Sequence, residues 1–182
     1  GWPFPEGHFT DGHDGAGVLL DTFTYATFPT APLSASDGTI AFWFQPQWTA
    51  PAERDDHVLL DVFADPGNFL LLTYRGDTGR LEVVMTGVTM TMMGPTVVRA
   101  SRRCDAPFRS RAWHHIVLTW RTVGSECVAS VFFDGGFCAE TDPSVPLAAM
   151  PAAFVLGSSH GQRLPANGVL DTVEVYPRAV SA

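Results

Sequence analysis

Lysine is absent from this chain: all 11 positive charges are arginines, set against 19 acidic residues, and the formal net charge is −8. A nucleic-acid partner calls for a basic stripe along one face, so that class is excluded. Charge of either sign is sparse, at 16% of residues. No apolar run reaches the roughly 20 residues of a membrane span, and no membrane insertion is expected. The opening GWPFPEGHFTDG has neither the basic n-region nor the apolar h-region of a signal peptide. The chain therefore reads as a mature product or as a domain cut from something larger. A helical period is missing as well, since no segment keeps one for long and residues 142–152, DPSVPLAAMPA, hold three prolines. Cysteine is scarce: Cys104, Cys127 and Cys138 allow one disulfide at most. Cys127 and Cys138 flank the DGG turn at 134–136, where a tight hairpin sets their sulfurs out of register. A bond, if one forms, includes Cys104; three small buried hydrophobes are the alternative.

Apolar surface and turn residues are what the chain has in quantity. Hydrophobic residues make up 46% of the 182, enough for one continuous core in a single domain, 1–182. Short runs rich in Val, Phe, Leu, Thr and Trp alternate with clusters of Gly, Asp and Pro. The pattern predicts strands near 17–21, 39–45, 57–63, 68–75, 80–86, 88–93, 96–101, 113–121, 127–133, 136–140, 153–156 and 168–176. So many strands in one domain imply an all-β fold, an antiparallel sandwich of two sheets packed face to face. TIAFWF (39–44) and HHIVLTW (114–120) hardly alternate. They are expected at the middle of a sheet, with further chain over its outer face, as in a jelly roll. The last strand poses a problem. Strict alternation puts Val169, Asp171, Val173 and Val175 on one face, and a carboxylate among valines is costly without a partner.

Four stretches, in order along the chain, carry a resemblance. GTIAFWFQPQW (38–48) resembles an early central strand, and RAWHHIVLTW (111–120) a Trp-His-His strand. SVFFDGG (130–136) is similar to a strand leading into an Asp-Gly hairpin, and FVLGSS (154–159) with GVLDTVEVYPRAVS (168–181) to a closing pair. Together they resemble the laminin-G-like domains of the concanavalin A-like lectin/glucanase superfamily. The resemblance implies a concanavalin A-like jelly roll and assigns Trp43, Trp113 and Trp120 to packing. It leaves the ligand open, because one fold hosts many functions.

Catalytic signatures are missing. Relatives that hydrolyse β-glucans carry Glu-x-Asp-x-x-Glu on one strand, because retaining hydrolysis needs two carboxylates about 5 Å apart. Here ERDD (53–56) lies in a Pro-rich loop, and alternation puts Asp171 and Glu174 of DTVE on opposite faces. Alginate-lyase signatures and a Gly-x-Ser-x-Gly elbow are also lacking, and DTG (77–79) sits in a turn. The chain is not expected to be an enzyme. RGD (75–77) is what a β-turn holds in any case. His114 reads as a core imidazole, with His115 on the other face; His8 and His13 flank FTDG without a third metal ligand. The Met-rich TMTMM (89–93) reads as a packed or edge strand.

The expected function is a non-catalytic recognition or adhesion module, extracellular or on a cell or virion surface, with a carbohydrate ligand. Trp2 and Trp48, beside prolines at element ends, are the candidate sugar platform. The alternative is a structural component, of a surface layer, a filament, or a phage tail or capsid, with a surface or particle protein as partner. Three partners are open to Asp171: Arg178, folding back past Pro177; backbone N–H groups of a crossing loop; or calcium, which takes hard oxygen ligands. Laminarinase-type relatives hold a structural calcium on an Asp in a similar closing strand. That resemblance implies Ca²⁺ on Asp171, with Asp14 of TDGHDG (10–15) as a second carboxylate.

Overall fold

The structure is a computed structural model and describes residues 8–180. Numbered in chain order, its strands form two antiparallel sheets. The seven-stranded sheet runs β1 (Phe9–Asp11), β2 (Ala16–Leu20), β13 (Gly168–Tyr176), β4 (Asp37–Pro46), β9 (His114–Val123), β10 (Glu126–Phe133), β11 (Gly136–Glu140). The six-stranded sheet runs β3 (Ala26–Pro29), β12 (Ala153–Leu156), β5 (His57–Asp65), β6 (Asn68–Arg75), β7 (Arg80–Thr91), β8 (Gly94–Cys104). No helix interrupts them among the described residues. The weakly alternating strands β4 and β9 are adjacent near the middle of the larger sheet, as expected.

Alternate residues of the two sheets make the core. Ile40, Phe42 and Phe44 of β4 and Ile116, Leu118 and Trp120 of β9 are buried against Leu60, Leu70, Leu72, Tyr74 and Val83 of the other sheet. Each such side chain contributes about 1.5–3 kcal/mol by leaving water. The two strands expected at 80–86 and 88–93 are one, β7. Gly87 lets it run on: a Cβ there would lie 2.7 Å from the carbonyl oxygens of Val145 and Pro146. The Pro-rich segment 142–152 thus lies across the strand without any helix, held by Asn68, whose amide bonds Ala149 O and the Ala148 N–H. The end of the β7–β8 hairpin stands in solvent, with Met90, Met92 and Met93 exposed, so TMTMM is not packed.

The register of β13 resolves the valine-face problem. Asp171 pairs with Trp43, but the next pair down the ladder is Glu174 with Ala41. Three steps on β13 therefore match two on β4, which is a β-bulge, and Thr172 takes a positive φ of 45° to make it. The extra residue inverts the alternation. Leu170, Val173 and Val175 pack on the core, while Asp171 shares the outer face with Trp43, and Glu174 with Ala41. The expected grouping of Asp171 with Val173 and Val175 is therefore corrected, and so is the placing of Asp171 and Glu174 on opposite faces.

Cys104, at the end of β8, is bonded to Cys138 on β11, with Cα atoms 5.6 Å apart. These are edge strands of the two sheets, so the disulfide ties the sandwich along one open side. Cys127 is a free, buried thiol, and burial pushes its pKa up.

Candidate functional site

The outer face of the seven-stranded sheet gathers the chemistry. Side chains paired across an antiparallel ladder share a face, so the registers spell out its rows. One row is Asp171, Trp43 and His115; the next is Glu174, Ala41, Val117 and Phe132; the third is Tyr176, Thr39, Thr119 and Ser130. Ala41 is the small residue among larger ones, and the floor drops there. A groove of about 500 Å³ results, with Ala41, Val117 and Phe132 as apolar floor and His115, Glu174 and Tyr176 as polar rim. The chain beyond β13 bounds it. Val180 N–H donates to Thr39 Oγ1 at 3.1 Å, and the same oxygen lies 2.8 Å from Arg178 O. A second trough of about 370 Å³, with Arg121, Ser130 and Glu140, adjoins it across Phe132 and Val180.

Beside the groove lies an aromatic patch. The half-buried indole of Trp43 stacks with the His13 imidazole, centroids 3.7 Å apart and planes within 12°. His115 meets Trp43 at 5.0 Å, and Trp113 meets His13 edge-on at 5.7 Å. His13 reaches this position on the β1–β2 turn, and Asp171 holds that turn. Asp171 Oδ2 accepts the Asp14 N–H at 2.8 Å, and Oδ1 accepts that of Thr172 at 2.6 Å. Gly12 is required for the approach: a Cβ there would sit 2.5 Å from Oδ2. The carboxylate is thus satisfied by backbone donors at the edge of the patch, and it anchors the loop that lays His13 on Trp43. On the rim, the Glu174 carboxylate beside Tyr176 pushes the phenol pKa up.

The candidate residues read from sequence are distributed otherwise. Trp2 lies outside the described residues. Trp48 is no platform: it is buried, with its Nε1–H donated to Ala166 O at 2.7 Å and its ring stacked 4.6 Å from His57. Trp43 and Trp113, assigned to packing, are half-buried members of the outer patch, whereas Trp120 is fully buried. Asp14 meets Asp171 through its backbone N–H and not its carboxylate. His8 pairs with Thr24 Oγ1, away from His13 on Trp43, and no group of three His, Cys, Asp or Glu side chains able to hold a metal occurs among the described residues. His114 is buried as expected, accepting the Arg109 N–H and pairing with Asp134 at 2.9 Å. Arg75 of RGD turns back to Asp56 at 2.9 Å, so the tripeptide is a structural turn. The groove was missed because Trp43 was read as core. Its alternation with buried Phe42 and Phe44 was the available signal, and His115 alternates with Ile116 in the same way.

The Laminin_G_3 family model, described as the concanavalin A-like lectin/glucanases superfamily, matches residues 20–182. Comparison with curated proteins gives no match. Among solved structures, domain 4 of AbnA, a GH43 extracellular arabinanase of Geobacillus stearothermophilus in complex with arabinotriose, is similar at a TM-score of 0.67 and 16% identity, over 95% of this chain and 76% of that one. The CBM40 of a Ruminococcus gnavus IT-sialidase, bound to α2,3-sialyllactose, is similar at 0.60 and 16%, over 91% of each chain. An endo-β-1,4-glucuronan lyase from the fungus Trichoderma reesei is similar at 0.64 and 14%, over 97% of this chain and 91% of that one. At such identities these likenesses show the fold alone.

Proposed function

The chain belongs to the concanavalin A-like lectin/glucanases superfamily, and from that premise we propose that it is a carbohydrate-binding module without catalytic activity. One observation carries the reading: a half-buried indole lies beside an apolar-floored groove with a hydrogen-bonding rim. Sugars present C–H faces that pack on apolar and aromatic floors such as Val117 and Phe132, and hydroxyls that seek such a rim. Two structural relatives are described with bound glycans, arabinotriose and sialyllactose, which supports the class. Asp171 and Glu174 share the face, but both Asp171 oxygens are engaged by N–H donors. Those bonds favour a role for Asp171 in anchoring the β1–β2 turn over one in acid–base chemistry, which supports the non-catalytic reading. The Cys104–Cys138 bond supports an extracellular setting, where disulfides persist.

Affinity electrophoresis in gels cast with neutral and acidic polysaccharides tests the reading. Retardation of the wild type, lost in a folded Trp43→Ala variant, is the expected result. Free migration in every gel, with co-purification on a surface layer or virion, would favour the structural alternative. Release of reducing ends from laminarin, abolished by Glu174→Gln, would make the protein an enzyme.

Calcium on Asp171 is a separate proposal, and it rests on the resemblance. The carboxylate already accepts two backbone N–H groups, one on each oxygen, and each oxygen keeps a lone pair that a hard cation could use. A calcium-dependent rise in melting temperature, absent in Asp171→Asn, is the expected result. Equal melting temperatures in chelator and in calcium would overturn this proposal and leave the backbone donors as the partners of Asp171.

A further inference from the structure

The charges around the groove go further than the class of ligand. No lysine or arginine lines it among the described residues; Glu174 and His115 are its titratable groups besides Tyr176. The neighbouring row contributes another carboxylate, Asp171, paired with Trp43 on the same face. In the adjoining trough, Arg121 lies 4.0 Å from Glu140, so its charge is already opposed. The imidazoles of His13 and His115 are both against the Trp43 ring. Beyond the groove, Asp134 adds negative charge, its oxygens taken by His114 Nδ1 and the His115 N–H. The chain as a whole carries −8.

Recognition of a uronate, sialate or sulfate group relies on a guanidinium, an ammonium or a metal aimed at it. This face offers the opposite. Glu174 is an acceptor for hydroxyl protons, and the Tyr176 hydroxyl beside it on the rim can both accept and donate. Acceptors over an apolar floor suit a ring rich in hydroxyl donors with no charge of its own. Resting on the carbohydrate reading above, we propose that the groove of Ala41, Val117, Phe132, Glu174 and Tyr176, beside Trp43, binds an uncharged glycan and rejects anionic ones. An anionic sugar laid along the same floor would bring its carboxylate toward Glu174 and lose affinity to like-charge repulsion.

The test uses matched pairs in isothermal titration with the whole chain: methyl-esterified against de-esterified homogalacturonan, lactose against sialyllactose, and arabinan against glucuronan. The expected result is binding of at least one neutral member, with its acidic counterpart weaker by about tenfold or more. That binding should be unchanged between low and high salt and lost in Trp43→Ala and Tyr176→Ala. Glu174→Gln should narrow the gap between neutral and acidic members. An acidic glycan bound more tightly than its neutral partner, with affinity falling as salt rises, would overturn the uncharged-ligand inference and leave the carbohydrate reading standing. Neutral binding that survives both aromatic variants would move the site off this face and overturn it too. No heat from any glycan would remove the inference and the carbohydrate reading together.

Discussion

Two tryptophans of central strands, Trp43 and Trp120, have different work in the fold, and residue-scale substitutions separate them. Trp120 is fully buried, with its Nε1–H bonded to Ser34 O at 3.0 Å. Trp120→Ala should cost about 3–5 kcal/mol in urea unfolding, through lost burial and the cavity left behind. Trp43 packs against two imidazoles on the outer face, so Trp43→Ala should cost only about 1 kcal/mol while removing glycan retardation. If Trp43→Ala unfolds as readily as Trp120→Ala, the outer-patch assignment is wrong. Asp171 acts at one remove from that patch. In Asp171→Ala the N–H groups of Asp14 and Thr172 lose their acceptor, for about 1–2 kcal/mol. The His13 turn is then freed, and Trp43 fluorescence should shift as its stacking partner leaves. A variant with unchanged stability and unchanged emission would show that the Asp171 anchor contributes nothing.

At the scale of elements, the bulge in β13 decides which residues the site receives. Without it, Asp171 and Glu174 would fall on opposite faces; with it, both reach the outer face. The device has a cost, because Thr172 is β-branched, exposed and at a positive φ of 45°. Asn tolerates that region, so Thr172→Asn should raise stability by about 0.5–1 kcal/mol without changing ligand binding. A lower midpoint in denaturant would show that the Thr172 conformation is not strained. The bulge was not legible in GVLDTVEVY, since nothing local marks the extra residue. Strict alternation is the right expectation for a strand until its partner is known. By contrast, Phe42, Phe44, Ile116 and Leu118 were legible as core, because on regular strands period two carries directly to burial.

The whole molecule is two sheets that meet through side chains and are joined covalently at one place among the described residues. The Cys104–Cys138 bond closes a loop with a sequence separation of 34. Loop-closure entropy in the unfolded chain then assigns it about 2–4 kcal/mol. Thermal unfolding with and without reductant should show that loss, and Cys104→Ser should melt alike in both. Equal melting of the wild type in the two buffers would mean that the bond is unformed in solution.

Much of this protein was determined by its sequence alone. Runs of Val, Phe and Leu broken by Gly, Asp and Pro admit strands and little else, and the apolar content requires two sheets to cover one another. The motif order along the chain supplied the family. The tertiary structure alone decided the site. A groove exists only where separate strands lie side by side, and Ala41, Phe132 and Glu174 come from β4, β10 and β13. The partner of Asp171 was likewise a matter of register, because the N–H of Asp14 comes to it from 157 residues away. Local pattern fixes which residues avoid water, whereas pairing between distant strands fixes which polar groups meet.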